Sequence, residues 1–400
     1  MKNKVLVADK FPEKYIQQMK DLGLDVIYEP KLGEKDLPEA AKEVEILVVR
    51  STVVNEEAIN NSKKLNLIIR AGSGVNNINI AAANKKGIYV ANCPGMNSIA
   101  VAELAVGLII AIDRRIADNV SDFRNGKWNK AEYSKADGLF GKTLGIVGAG
   151  QIGVEVINRV KSFGLNIIAW SRSLTNEKAE LLGVERCQTL EEVFTKADII
   201  SVHLAQTADT KKLISKDLIN KMKKGAYFIN TSRAGVVDED ALLEAAKAEK
   251  NFLGLDVFNN EPEGKGGDFT TPLQGLKNVY LTHHIGASTE QAQDAVADET
   301  VKIINEFVNS GVIRNWVNRI KKSPAKYQLI VKHFDKPGVL AGVLELLKTG
   351  NINVEEIENV IFDGAIAASC TMKLKDAATP DMLKKMNENP DLISVSQVEI

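Results

Sequence analysis

The stretch from Thr143 to Gly164 constrains this 400-residue chain more than any other. An apolar run, Thr143 to Val147, leads directly into Gly148-Ala149-Gly150-Gln151-Ile152-Gly153, and Val154 to Phe163 then reads as a helix stopped at Gly164. A glycine pattern alone says little. A strand, a glycine loop and a helix in register specify the first βα turn of a doubly wound sheet. Gly148, Gly150 and Gly153 permit a tight turn and close backbone approach, so a pyrophosphate can rest on the helix N-terminus.

The surrounding pattern repeats that architecture. Val5 to Ala8, Ile46 to Val49, Leu67 to Ile69 and Ile88 to Ala91 read as short buried strands, with a helix around Pro12 to Leu22. A second series runs through Thr143 to Val147, Asn166 to Trp170, Ile199 to His203, Ala226 to Asn230, Phe252 to Val257 and Val279 to Thr282. Strands alternating with helical segments predict parallel sheets covered by helices, hence an α/β chain with two doubly wound units. The apolar helix Ile99 to Ile112 and the long helical stretch Thr289 to Val308 are expected to carry the chain into the second unit and back. The expected domains are therefore 1–97 with 292–318, discontinuous and substrate-binding, and an inserted Rossmann-type nucleotide domain over 98–291. The first of these is expected to be flavodoxin-like.

Residues 319–326, RIKKSPAK, have no apolar pattern and read as a linker. Beyond it, 327–400 has the order βαββαβ of a ferredoxin-like module. Its strands are Tyr327 to His333, Val354 to Phe362, Ala365 to Leu374 and Leu392 to Val398. A helix is expected from Pro337, with Val339, Leu340, Val343, Leu344 and Leu347 on one stripe, and a second from Thr379-Pro380. Asp363-Gly364 predicts a two-residue hairpin turn.

Chemistry concentrates where the second series of strands ends. Arg233 follows one strand, Glu261 the next and His284 the last, all on the carboxyl edge where an open parallel sheet binds its ligand. The three types make a hydride-transfer site. Arg233 offers a planar fork to a substrate carboxylate and polarises the adjacent carbonyl. His284 exchanges the proton of the alcohol, and Glu261 would hold its other ring nitrogen and raise its pKa. No metal is required. After Trp170, where NAD-preferring sites carry an acid, stand Ser171 and Arg172, which leave NAD and NADP both open.

Composition narrows the classes. A formal net charge of -1 with scattered lysines gives no electrostatic reason to expect a nucleic acid or anionic membrane partner. Cys93, Cys187 and Cys370 fit neither a disulfide framework nor metal-ligand spacing, and are expected to be free thiols in a reducing compartment. The N-terminal MKNKVLVADKF lacks an apolar core and a cleavage pattern, so a cytoplasmic protein without an export signal is expected.

Arg70-Ala71-Gly72-Ser73-Gly74-Val75-Asn76-Asn77, Asn92-Cys93-Pro94-Gly95-Met96-Asn97-Ser98, Thr231-Ser232-Arg233-Ala234-Gly235, Leu255-Asp256-Val257-Phe258 with Glu261-Pro262, and His284-Ile285-Gly286-Ala287-Ser288 span almost the whole chain. In these motifs the chain resembles the D-isomer-specific 2-hydroxyacid dehydrogenases. His283 stands where that family usually has proline, and Asn76 where it usually has aspartate. The resemblance implies the catalytic roles of Arg233, Glu261 and His284. It also implies cofactor contacts from Ser73, Gln151, Ile152, Thr231, Ser232, Asp256 and Gly286. Substrate would meet Arg50, Arg70, Ser73, Gly74 and Lys130. Three cations beyond one carboxylate clamp suggest a dianionic group on the substrate.

Within that family the expected reaction is NAD(P)-dependent oxidation of 3-phospho-D-glycerate to 3-phosphohydroxypyruvate, the first step of L-serine synthesis. NADPH-dependent reduction of glyoxylate or hydroxypyruvate is the alternative, and a nucleotide-sensing corepressor is the alternative of another class. The C-terminal module resembles an ACT domain, which implies a homodimer or homotetramer and an amino-acid effector such as L-serine at His333, Asp335 and Asn353.

Overall fold

The computed structural model describes residues 3–262 and 267–400, and its strands form three sheets. The first holds β1 (Lys4–Val7), β2 (Asp25–Tyr28), β3 (Ile46–Val49), β4 (Leu67–Arg70) and β5 (Tyr89–Asn92). Its order is β2-β1-β3-β4-β5 and every pairing is parallel, the arrangement of flavodoxin-like folds. All four residues of β3 are buried, because helices cover both faces of the sheet and leave no side for polar residues. One face packs Val5, Val7, Val48 and Ile69 against helices Glu13–Asp21 and Glu290–Ser310. The other packs Leu6, Leu47 and Ile68 against Leu37, Ala58, Ile59 and Ala82.

The second sheet holds β6 (Thr143–Val147), β7 (Asn166–Trp170), β8 (Glu185–Arg186), β9 (Ile199–Val202), β10 (Tyr227–Asn230), β11 (Phe252–Leu255) and β12 (Val279–Leu281). Its order is β12-β11-β10-β9-β6-β7-β8, again all parallel. The order reverses between β6 and β9, and a crevice opens at such a switch point for a ligand. Helices Ser98–Arg114 and Gln151–Val160 cover one face, and helices Leu190–Lys196, Lys216–Asn220 and Glu239–Lys247 the other. Each sheet with its helices makes a lobe, and both lobes belong to one compact unit that ends at Asn318.

The other compact unit runs from Arg319 to Ile400. It holds β13 (Tyr327–Phe334), β14 (Val354–Ile361), β15 (Ala367–Leu374) and β16 (Leu392–Glu399) in the antiparallel order β14-β15-β13-β16. Helices Val339–Thr349 and Pro380–Asn387 complete the order βαββαβ.

Three details differ from expectation. The helix expected at Pro337 begins at Val339, because Gly338 holds a left-handed φ of 86° that no helix accepts. Its sheet-facing positions are Val339, Val343 and Leu347, one helical repeat of four apart, so Leu344 falls to the flank and is exposed. The hairpin between β14 and β15 is wider than a two-residue turn. Phe362 N–H bonds the Ala367 carbonyl at 2.9 Å, and both Gly364 and Ala365 take left-handed backbone.

Candidate active site

The glycine loop lies where the strand order reverses. Gly148 has φ 101°, and a Cβ there would stand 2.5 Å from the His203 carbonyl oxygen. At Gly153 a Cβ would overlap the carbonyl of Gly148. Gly150 caps helix Gln151–Val160, whose first N–H groups therefore face the crevice. His203, whose carbonyl lies against Gly148, has a buried Nδ1 without a protein partner, and Thr231 Oγ1 beyond the end of β10 is likewise buried without one. Burial pushes the His203 imidazole down to about 3, so it stays neutral and can serve only as a hydrogen-bonding group. A backbone cradle closed to side chains, with the orphaned His203 nitrogen at the end of the strand beside it, fits a dinucleotide. Ser171 is half-buried at the end of β7, and Arg172 beside it is exposed.

The imidazole, carboxylate and guanidinium expected from the strand ends meet across β10, β11 and β12. His284 Nδ1 lies 2.6 Å from Glu261 Oε2, and Glu261 Oε1 accepts the N–H of Phe258 at 2.8 Å. Burial alone would raise the Glu261 carboxyl, but the His284 and Phe258 hydrogen bonds outweigh it and hold the carboxyl below its ordinary value. Arg233 lies half-buried after β10, with Nη1 donating to the Ser232 carbonyl at 2.7 Å. Asn230 shapes this turn: its Oδ1 accepts from Ser232 N–H and Oγ, and its Nδ2 donates to the Arg233 carbonyl. The Arg233 guanidinium lies so close to Gly74 of the first lobe that a Cβ there would stand 2.6 Å from Nη2.

Asp256 does something the sequence does not suggest. Its carboxylate is buried, and accepts Thr282 Oγ1 at 2.5 Å, Ile285 N–H at 2.9 Å and Gly286 N–H at 2.8 Å. It thus pins the loop on both sides of His284, whose own backbone is left-handed at φ 49°.

Beside the imidazole lies a cleft of about 840 Å³, lined among others by Arg50, Arg70, Phe258, Glu261, His283 and His284. A smaller pocket of about 160 Å³ shares Arg50, Arg70 and His284 and adds Asn97. Arg70 is largely buried and its Nε has no partner. Burial, then repulsion from Arg233 and Arg50, pull its pKa down to about 10, so it remains charged at neutral pH. Arg70 thus faces two further guanidinium groups, Arg50 and Arg233, with Asp9 and Glu261 the carboxylates nearest to Arg70 and Arg233, and such a cluster of cations suits an anion. Ser73 Oγ donates to Asn97 Oδ1 at 2.7 Å, which ties the Gly72–Gly74 turn to the segment before helix Ser98–Arg114. Lys130 heads the short helix Lys130–Tyr133, is exposed, and is absent from the lining of both pockets.

Asp9 is a site residue that the sequence reading missed. It accepts the N–H groups of Arg50, Ser51 and Thr52 at 2.7, 3.0 and 3.0 Å, and so positions the Arg50 turn. Burial works to raise its carboxyl, and these backbone bonds outweigh it and hold it below the ordinary aspartate range. The signal was available: Asp9 follows β1 on the carboxyl edge of its sheet, the rule that singled out Arg233 and His284.

In the C-terminal unit His333 is buried, with Nδ1 2.8 Å from the Phe334 carbonyl and Nε2 3.1 Å from Asn359 Oδ1. Asp335 is exposed, and its N–H bonds the Ile366 carbonyl at 2.9 Å. Asn353 is exposed and donates to Glu355 at 2.9 Å. All three cysteines are free and buried. Among the described residues no cluster could hold a metal ion, and no helix is long and apolar enough to cross a membrane.

Comparison with known proteins bears on this geometry. The family described as D-isomer specific 2-hydroxyacid dehydrogenase, NAD binding domain, matches residues 106–286. A D-3-phosphoglycerate dehydrogenase of Methanocaldococcus jannaschii is 36% identical over 382 residues, 95% of this chain and 71% of that protein. A glyoxylate reductase of Thermococcus litoralis is 37% identical over 331 residues, 80% of this chain and 98% of that protein. The NAD+-bound 3-phosphoglycerate dehydrogenase of Entamoeba histolytica superposes with a TM-score of 0.67 at 28% identity, over 80% of this chain and 100% of that one.

Proposed function

This chain belongs to the D-isomer specific 2-hydroxyacid dehydrogenases, and on that premise we propose that it oxidises 3-phospho-D-glycerate to 3-phosphohydroxypyruvate with NAD, at the start of serine synthesis. One observation carries the choice of substrate: Arg50 and Arg70 line the cleft beside the His284–Glu261 pair, and Arg233 lies close to both Arg70 and Glu261. A carboxylate needs one such group, and a phosphate uses the rest.

The residues act as follows in this reading. Gly148, Gly150, Gln151, Ile152 and Gly153 hold the pyrophosphate on the helix N-terminus, while Ser171 and Arg172 stand beside the adenosine ribose. Thr231, Ser232 and Gly286 line the approach to the nicotinamide. Bound NAD supplies the hydride acceptor. Arg233 forks onto the substrate carboxylate, assisted by Ser73 and Gly74, and Arg50 and Arg70 meet the phosphate. Glu261 holds the proton on Nδ1 of His284, which leaves Nε2 free to take the hydroxyl proton. The carboxylate then stabilises the imidazolium that results.

The C-terminal unit is an ACT-type regulatory module in this proposal. Its βαββαβ order supports that, with His333, Asp335 and Asn353 as contacts for an amino acid such as L-serine, in a homodimer or homotetramer. Three buried free thiols agree with a cytoplasmic location. The likeness to a glyoxylate reductase supports the second reading, reduction of glyoxylate or hydroxypyruvate. An intact His284–Glu261 pair speaks against a purely nucleotide-sensing scaffold.

Initial rates with phosphoglycerate, glycerate and glycolate test the substrate, and glyoxylate reduction tests the alternative. Phosphoglycerate should have the highest kcat/KM. Fast glyoxylate reduction with no turnover of phosphoglycerate reverses the order of the two readings. His284→Ala should lower kcat by at least about 100-fold while NAD still binds. Serine added to the same assay should depress the rate if the C-terminal unit is regulatory.

A further inference from the structure

The end of β7 lacks the acid that usually bonds the ribose hydroxyls and repels a 2′-phosphate. A carboxylate nevertheless reaches this place from another element. Arg172 Nη1 donates to Asp209 Oδ2 at 3.2 Å. Asp209 stands in the short turn Ala208–Thr210 that follows β9, and β6 lies between β9 and β7 in the sheet. The pair therefore arches over the carboxyl end of β6, where the glycine loop begins. Lys178 adds a second cation there, with Nζ 3.5 Å from the Ala149 carbonyl.

The position of Asp209 does not depend on Arg172. The turn closes on itself: Thr207 N–H donates to Thr210 Oγ1 at 2.8 Å, and Thr210 Oγ1 donates to the Ala205 carbonyl at 2.6 Å. Thr210 is buried, so the carboxylate is carried on a rigid base. The two charged side chains are 61% and 77% exposed, and an ion pair so solvated adds little to stability. Its effect falls on whatever charge is brought beside it.

We propose that Asp209 is the specificity-determining carboxylate of the cofactor site, holding Arg172 and repelling a 2′-phosphate so that the chain selects NAD over NADP. This rests on the NAD-dependent reading above. For NADP to bind, Arg172 must leave Asp209 for the phosphate, and that dianion must then stand near an unpaired carboxylate. NAD demands neither. Without Asp209, Arg172 and Lys178 face the 2′ position uncompensated.

Calorimetric titration of the full chain with NAD+ and with NADP+ tests this in the wild type, Asp209→Asn, Arg172→Ala and the double variant. Asp209→Asn should tighten NADP+ about tenfold and leave the Kd for NAD+ within about twofold. The double variant should lose most of that gain. An unchanged ratio of the two Kd values in Asp209→Asn overturns the assignment, as does a gain that persists in full without Arg172. Both sites are exposed, and equal thermal midpoints would show that folding is intact. Absence of NAD+ binding by the wild type would sink the dehydrogenase reading as well. Normal NAD+ binding with an unaltered ratio sinks only the role of Asp209.

Discussion

His284 keeps its imidazole in place through a backbone conformation that few side chains adopt, and the restraint comes from a residue 28 positions earlier in the chain. Because Asp256 takes the N–H groups of Ile285 and Gly286, Asp256→Asn would set an amide donor against a backbone donor. The loop should shift, and a displacement of about 1 Å at the proton acceptor lowers kcat by about 100-fold. KM for the hydroxy acid should move much less, since Arg50, Arg70 and Arg233 are untouched. An equal loss in kcat and rise in KM would contradict the positioning role. Asp9 makes a comparable claim with a pH signature. Its carboxyl is held low in the fold, so its contribution is fully present above its unfolded value near 3.8 and is lost as pH falls through the lower folded value. Asp9→Asn should therefore unfold about 2 kcal/mol more easily at neutral pH, and the gap from wild type should close below about pH 4. Urea titrations at both pH values check this. At this scale strand ends alone were enough to single out Arg233, Glu261 and His284. The three donors that Asp256 satisfies come from a loop 26 to 30 residues away, and no local pattern announces such a contact.

In the two parallel sheets the central strands were the most legible. β6 and β7 begin and end with their apolar runs, because a central parallel strand has no solvated face to interrupt them. β2 and β8 went unread: each ends its sheet, and Asp25, Glu185 and Arg186 interrupt the apolar signal there. The two helices at the crossings were legible on other grounds, one from an apolar run broken only at Glu103 and the other from its length. Element-scale energetics can be tested at β10, which carries Arg233 at its end. Phe228 is fully buried there and packs against Phe194 with ring centroids 6.5 Å apart. Phe228→Ala should cost about 3–5 kcal/mol, measured as a fall in the urea midpoint. A loss under about 1 kcal/mol would mean that this core collapses around the gap more readily than a close-packed interior should.

At the scale of the molecule, the C-terminal unit has its own core, with Leu329, Val331, Val343, Leu347, Cys370 and Met372 buried together. Brief trypsin treatment should cut within 319–326, where Lys321 and Lys322 are exposed, and leave two folded pieces. The larger piece should retain turnover, and loss of its circular dichroism after cleavage would show that the units do not fold independently. The first lobe has a different dependence. Val5 and Val7 share one core with Ile303 and Ile304, and Val317 N–H bonds the Val90 carbonyl, so its two contributing segments are separated by the entire second sheet. During synthesis the middle of the chain has all its strands once residue 281 has emerged, while the N-terminal sheet still lacks the helix Glu290–Ser310 over one face. The cover of the first sheet is therefore completed only after the second sheet has been made. Until then Glu13–Asp21 covers that face of the first strands without its second helix, and the last layer laid on the oldest strands is among the last parts of the lobe to be made.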